Sequence, residues 1–305
     1  MKGDERRAAK SVSQPHIQLT QRPLTPGLYI VPTPIGNLAD ITLRALEVLA
    51  GVARIACEDT RVTGKLLKHY SISTPMIAYH EHNAAERLPD LVCRIEEGEA
   101  IALVSDAGTP LISDPGYRLV GELAAREINV VPLPGATSVT TALSASGLPS
   151  DTFTFAGFLP QKKAQRKKRL AEFVDHPATL IFFESPRRLA ASLADCAEIL
   201  GGDRDAMIAR ELTKLYETLY RGSLSSLADK FGQGEQPKGE IVIVIAPGEP
   251  VLPDDDDIER RLKQLIRTHR VKEAADIAAR ETGLSKRDLY QRALKLKSTG
   301  VEQDD

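Results

Sequence analysis

The segment from Gly27 to Thr60 constrains the fold more than any other part of the chain. "GLYIVPTPIGN" reads as a short apolar strand and its exit loop, "ITLRALEVLAGV" as an amphipathic helix with Leu43, Leu46 and Leu49 on one face, and "RIACEDT" as the next strand. Leucines spaced by three fall on one side of a 3.6-residue helix, while the flanking runs are short and bounded by turn-formers, as buried strands are. The same rhythm returns in "GEAIALVSDAG", a helix from Tyr117, the strand "NVVPLPG" and a helix opening at Thr137 or Ser138. Strands alternating with helices predict a doubly wound, mostly parallel sheet, here spanning residues 24–148.

A second α/β domain, with a mixed sheet, is expected over residues 149–248. Its strands are "TFTFAGF", "ATLIFFE", "DAMIARELT" and "EIVIVIAPG". Residues 249–257 read as an acidic, Pro-rich linker and residues 258–300 as a small helical appendage. Residues 1–23 carry no hydrophobic period and read as a mobile tail. The 305 residues, 42% hydrophobic and 27% charged, suffice for two cores. No apolar run reaches membrane-spanning length and no signal segment opens the chain, so a cytosolic protein is expected. Cys57, Cys93 and Cys196 are scattered without a Cys-x-x-Cys pair, which argues against a disulfide framework and a structural zinc site. A net charge of −2 confines any nucleic-acid surface to a local patch.

Several loops fall at strand ends, the edge where open α/β sheets gather ligands. They are "PTPIGN", "CEDTR", "PLPGATS" and the loop inside "LVSDAGTPLISDPGYRLV". The last holds neither Gly-x-Gly-x-x-Gly nor a Walker lysine, and offers Asp106 and Asp114 where a phosphate would want a cation. Asp114 reads as the cap of the following helix, and Thr137 or Ser138 as the cap of a later one. Pro34, Gly36, Pro134 and Gly135 allow close backbone approach, so the crevice suits a neutral or cationic ligand.

Taken in order, "LYIVPTPIGNLADITLRAL", "CEDTR", "LVSDAGTPLISDPG", "PLPGATSVTTALSASGLP" and "FFESPRR" resemble the ribosomal RNA small-subunit methyltransferase I family, within the tetrapyrrole-methylase fold class. The likeness runs from about Leu28 to Pro247 and into the helical tail. It implies S-adenosylmethionine bound between two α/β domains, and methylation of the ribose 2'-hydroxyl of a cytidine in the decoding region of 16S ribosomal RNA by a homodimer. It places Pro34, Ile35, Gly36, Ser105, Asp106, Gly108, Thr109, Ile112, Thr137 and Ser138 at the cofactor, with backbone near Glu184, Leu212 and Gly239 from the second domain. Tetrapyrrole-modifying relatives carry a glycine-rich first loop where this chain has "PTPIGN", which favours the RNA branch.

A ribose hydroxyl must lose its proton as it attacks the methyl group, and Glu58, Asp59, Glu184, Glu211 and Lys214 are the candidate acceptors. No spacing selects one. Glu58 or Asp59 could instead cap the next helix and pair with Arg61, and Glu184 could pair with Arg187 or Arg188. "KKAQRKKR", containing Lys162, Lys163, Lys167 and Lys168, is the densest basic run and a candidate phosphate clamp, with Arg61 and Arg187 as further contacts. "YHEHN" lacks the i, i+4 histidine spacing of metallohydrolases, so no metal is expected. The tail "VKEAADIAARETGLSKRDLYQRALKLK" reads as a helix-turn-helix or as a packing surface for a second subunit. Two rival functions share these residues: methylation of a tetrapyrrole or other small molecule, and RNA or ribosome-assembly binding without turnover.

Overall fold

The computed structural model describes residues 23–114, 116–234, 236–248 and 255–300. Nearly all of the expected tail, and residues 249–254 of the expected linker, lie outside the described residues. The chain divides into two compact units, one holding both sheets and one holding the last three helices.

The first sheet is entirely parallel. It contains β1 (Gly27–Ile30), β2 (Arg54–Cys57), β3 (Met76–Ala78), β4 (Ala100–Val104) and β5 (Val130–Pro132), in the order β3-β2-β4-β1-β5. Its connecting helices are α1 (Leu43–Gly51), α2 (Thr60–His69), α3 (Ala84–Glu96) and α4 (Tyr117–Ala125), and α5 (Ser138–Ser146) leads onward. Successive β1 side chains point to opposite faces. Leu28 and Ile30 pack with Leu91 and Ile95 of α3 and with Leu119 and Leu123 of α4, while Tyr29 and Val31 pack with Val48 and Leu49 of α1. Both faces are covered, hence the unbroken apolar run in the strand. Each such side chain contributes about 1.5–3 kcal/mol on burial, which fixes the strands and leaves the exit loops free to carry polar groups.

Two expected caps are not made. The residue at the cap of α4 is Gly116, at φ 133°, and no side chain caps that helix. Asp114 stands two residues too early and lines both cavities at the site instead. Thr137 occupies the cap position of α5 without a side-chain bond to the helix. By contrast Asp59 does cap α2, accepting from Arg61 N at 2.8 Å.

The second sheet is mixed, with β6 (Phe153–Phe158), β7 (Thr179–Glu184), β8 (Asp205–Arg210), β9 (Thr218–Ser223) and β10 (Ile241–Ile245) in the order β6-β7-β10-β8-β9. Only the β6–β7 pairing is parallel. Its helices are α6 (Lys163–Ala171), α7 (Leu189–Leu200) and α8 (Leu224–Gln233). One face, through Leu180, Phe182 and Ile243, packs on Leu189 and Leu193 of α7 and on Leu224 and Leu227 of α8. The other face, through Ile181, Met207 and Val244, packs on Val139, Ala142 and Leu143 of α5 and on Ile35 from the loop after β1. Helix α5 therefore leaves the first sheet and forms part of the core of the second. That shared core sets the loops of the first sheet against the strands of the second.

The terminal unit is α9 (Asp255–Ile266), α10 (Val271–Thr282) and α11 (Lys286–Gly300), packed around Leu262, Ala274, Ala278 and Leu289. Gly283 ends α10 in the left-handed conformation at φ 70°, which makes the expected glycine turn. Helix α9 begins three residues ahead of the expected boundary at residue 258. Asp255, Asp256 and Asp257 form its first turn, where acidic side chains are favoured by the helix dipole.

Candidate active site

The loops after β1 and β4 are joined backbone to backbone. Thr33 N donates to Gly108 O at 2.9 Å and Gly108 N to Thr33 O at 3.0 Å, and the Thr33 hydroxyl donates to Ser105 O at 3.1 Å. Gly108 sits at φ +86°, where a side chain would be strained, and its added Cβ would stand 3.2 Å from Ile35 Cγ2. Thr109 Oγ1 donates to Ala136 O at 3.0 Å and ties in the loop before α5.

Over this floor opens a cavity of about 420 Å³ between the two sheets. Of the residues expected at the cofactor, Ile35, Asp106, Ser138, Glu184, Leu212 and Gly239 line it. Pro34, Gly36 and Ser105 line an adjoining recess of about 250 Å³ that reaches Lys214 and Glu240. Gly108, Thr109, Ile112 and Thr137 line neither: the first two brace the floor, Ile112 is 39% exposed, and the Thr137 carbonyl accepts from Thr141. The sequence reading missed the apolar walls Phe158, Phe183, Ala209 and Val242. Phe158, 58% exposed beyond a register shift in β6, is the aromatic whose position at a strand end could have flagged the wall.

Apolar walls with carboxylates at one edge suit a neutral or cationic ligand. Asp106 Oδ1 accepts from Asp59 N at 3.1 Å, which links the "CEDTR" loop to the floor. A second cavity, of about 450 Å³, meets the first at Ser113 and Asp114, and Glu58 lines it. Burial, then the neighbouring acids Asp106 and Asp114, push the Glu58 carboxyl above its ordinary range. Burial likewise raises Asp106, and it raises Asp114 against a hydrogen bond from Ser105.

The remaining acceptor candidates are committed elsewhere. Bonds from the Arg61 side chain and backbone hold the Asp59 carboxyl at about 2. Glu184 is sealed from solvent: Arg188 Nη2 lies 2.5 Å from Oε1, Ser185 N donates to Oε1 at 2.7 Å, and the Ser192 hydroxyl to Oε2 at 2.5 Å. Burial works against ionisation of Glu211, but the bond from Lys214 and the backbone N–H of Glu240 outweigh it and lower its carboxyl. Lys214 is held in its charged form, because its bond to Glu211 and the charge of Glu240 outweigh burial. These contacts disfavour the neutral form that a lysine base at Lys214 would need. Gly239, at φ +96°, backs this network, and a Cβ there would stand 2.1 Å from Glu211 Oε1.

Residues 27–228 match the family described as Tetrapyrrole (Corrin/Porphyrin) Methylases, and residues 253–297 match the RsmI C-terminal HTH domain. The ribosomal RNA small subunit methyltransferase I of Mesorhizobium japonicum is 54% identical over 94% of this chain and 98% of its own length. That of Vibrio cholerae is 50% identical over 87% and 93%. The chain belongs to the ribosomal RNA small subunit methyltransferase I family. A uroporphyrin-III C-methyltransferase from Thermus thermophilus, complexed with S-adenosyl homocysteine, shares the fold at 18% identity and a TM-score of 0.50, over 73% of this chain and 97% of that one.

Within this family member the basic run is not a uniform charged face. Arg166 is buried and paired with Asp195, Nη2 to Oδ2 2.6 Å, and Lys167 reaches Glu198 at 2.5 Å. Arg169 pairs with Glu172 and stacks its guanidinium 4.6 Å from the Phe173 ring centroid. Lys162, Lys163 and Lys168 are exposed and make none of these contacts, as is Arg187 beside the cavity-lining Pro186. Arg61, its pairing with Asp59 notwithstanding, keeps 86% of its side chain in solvent.

Proposed function

We propose that this enzyme transfers the methyl group of S-adenosylmethionine to the ribose 2'-hydroxyl of a cytidine in the decoding region of 16S ribosomal RNA, within the small subunit. The observation that carries the reading is the 54% identity over 94% of the chain to a protein named for methylation of that RNA. The tetrapyrrole-methylating neighbour shares only the fold.

The residues present fit the cofactor. The apolar cavity accepts an uncharged adenosine moiety, and Asp106 and Asp114 offset a sulfonium charge. When bound, S-adenosylmethionine supplies an electrophilic methyl group on a positively charged sulfur. The protein orients the ribose oxygen in line with it and excludes water, so positioning is the main contribution. The ribose hydroxyl would give up its proton to a carboxylate of the protein as its oxygen takes the methyl group. Glu58 takes that role, beside the junction of the two cavities, with its carboxyl raised above the ordinary range and no ion pair holding it among the described residues. Lys162, Lys163, Lys168, Arg61 and Arg187 contact RNA phosphates.

We further place the enzyme in the cytoplasm as a homodimer. Among the described residues no helix is long and apolar enough to cross a membrane. Leu215 and Tyr216, 88% and 68% exposed, offer apolar surface to a second copy. A ribose-methylation map of small-subunit RNA from cells with and without the protein tests the reading. One 2'-O-methylcytidine present only with the protein is expected. An unchanged map, or transfer to a porphyrinoid by the purified protein, overturns it.

A further inference from the structure

A residue lining the second cavity carries a buried polar group that the described residues leave unsatisfied. Tyr79 is 1% exposed and lines the cavity, yet its hydroxyl has no hydrogen-bond partner among the described residues. A buried donor without a partner destabilises a protein, and phenylalanine would fill the same apolar surroundings. The segment carrying Tyr79 is held in place: Asn83 Oδ1 accepts from His80 N at 2.9 Å, and Asn83 Nδ2 donates to Ala78 O at 3.0 Å. On the same wall the exposed carboxylate of Glu81 has no ion pair among the described residues. Tyr117, 68% exposed, lines the same cavity, and Arg118 Nε donates to its hydroxyl at 3.0 Å. One buried donor, one carboxylate acceptor and one exposed aromatic face form a set that reads a nucleobase.

We propose that this cavity seats the base of the nucleoside being methylated and recognises it as cytosine. Tyr79 Oη donates to a ring or carbonyl acceptor of the base, Glu81 accepts from its exocyclic amine, and Tyr117 stacks on its face. Ser113 and Asp114, common to both cavities, then put the attached ribose at the entrance to the cofactor site. Uracil presents a carbonyl where cytosine presents the amine, so Glu81 repels it. The proposal rests on the ribose-methylation reading above.

The test is single-turnover methylation of small ribosomal subunits carrying C or U at the target position, with S-adenosylmethionine affinity measured by calorimetry. Tyr79→Phe is expected to lower kcat/KM on the C substrate roughly tenfold, with cofactor affinity unchanged and thermal stability equal or higher. Glu81→Gln, whose amide can donate as well as accept, is expected to narrow the C-over-U preference by about tenfold or more. Full kcat/KM in Tyr79→Phe, or an unaltered preference in Glu81→Gln, overturns the proposal while leaving the function standing. Absence of ribose methylation by the wild-type enzyme sinks the function itself, and the proposal with it.

Discussion

Glu184 Oε1 and Arg188 Nη2 lie 2.5 Å apart, and the glutamate side chain is wholly withdrawn from solvent at the wall of the cavity. With Ser185 N and the Ser192 hydroxyl also donating to it, the carboxylate anchors the end of β7 to the start of α7. Its charge is used in structure, held by a guanidinium, a backbone N–H and a hydroxyl. Glu184→Gln is therefore expected to keep turnover within about twofold of wild type below its melting point. Glu184→Ala, which leaves the buried Ser192 hydroxyl without its acceptor and frees Arg188, should cost about 1–3 kcal/mol in urea unfolding. A hundredfold loss of kcat in a fully folded Gln variant would return Glu184 to the catalytic candidates.

Gly239→Ala tests the cofactor wall. The added methyl would stand 2.1 Å from Glu211 Oε1 on a backbone at φ +96°, so Glu211 must leave Lys214 and the Glu240 N–H. Cofactor affinity is expected to fall by roughly tenfold or more, since strain of this kind costs about 1–3 kcal/mol. Calorimetric titration with S-adenosylhomocysteine reads it directly, and unaltered affinity would separate Gly239 from the site.

Protonation of the acidic edge gives two pH signatures. If Glu58 accepts the ribose proton, single-turnover rates climb with pH through a value above the ordinary carboxylate range, because only its ionised form can act. Glu58→Gln should abolish that limb and lower the rate about 10²–10⁴-fold. Asp114 carries the stability counterpart. Its folded-state value lies above the unfolded one, so its contribution is present below the unfolded value and is lost as pH rises through the folded value. Asp114→Asn should accordingly raise Tm near neutral pH, by about 2 °C, while activity falls.

Charge in α6 serves two ends that mutation can separate. Replacing Lys162, Lys163 and Lys168 by alanine is expected to weaken RNA binding, flatten its salt dependence by up to about three phosphate contacts, and leave Tm unchanged. Arg166→Ala should instead destabilise the protein by about 3–5 kcal/mol, because it strands the buried Asp195. Filter binding across a salt series, beside thermal melts, distinguishes the two.

The strands buried on both faces were legible because continuous apolar runs bounded by turn residues have few other uses, as in "AIALV" and "IVIVI". Helix α3 was not, since Pro89 sits in its interior and argues against a helix there. Strand β9 escaped because "TLYRGS" is polar and only partly buried, and it exists through its pairing with β8. At the site, glycine and proline loops marked the floor, where local backbone geometry is written in residue type. The walls Phe183, Ala209 and Val242 come from strands whose outward residues meet α5 and Ile35, a tertiary fact with no local signature. Caps failed for a related reason: Asp114 has the chemistry of a cap, but the cap position falls to Gly116 and Asp114 lines the cavity.

The paired backbone bonds between Thr33 and Gly108 make two loops from different strands into one stiff panel. Loops that order only around a ligand lose conformational entropy at each binding event, whereas these lose theirs when the chain folds. The cofactor therefore meets a wall already at rest. A cut or an insertion in either loop would be felt as a looser hinge in the other, weakening affinity at a distance from every atom the ligand touches.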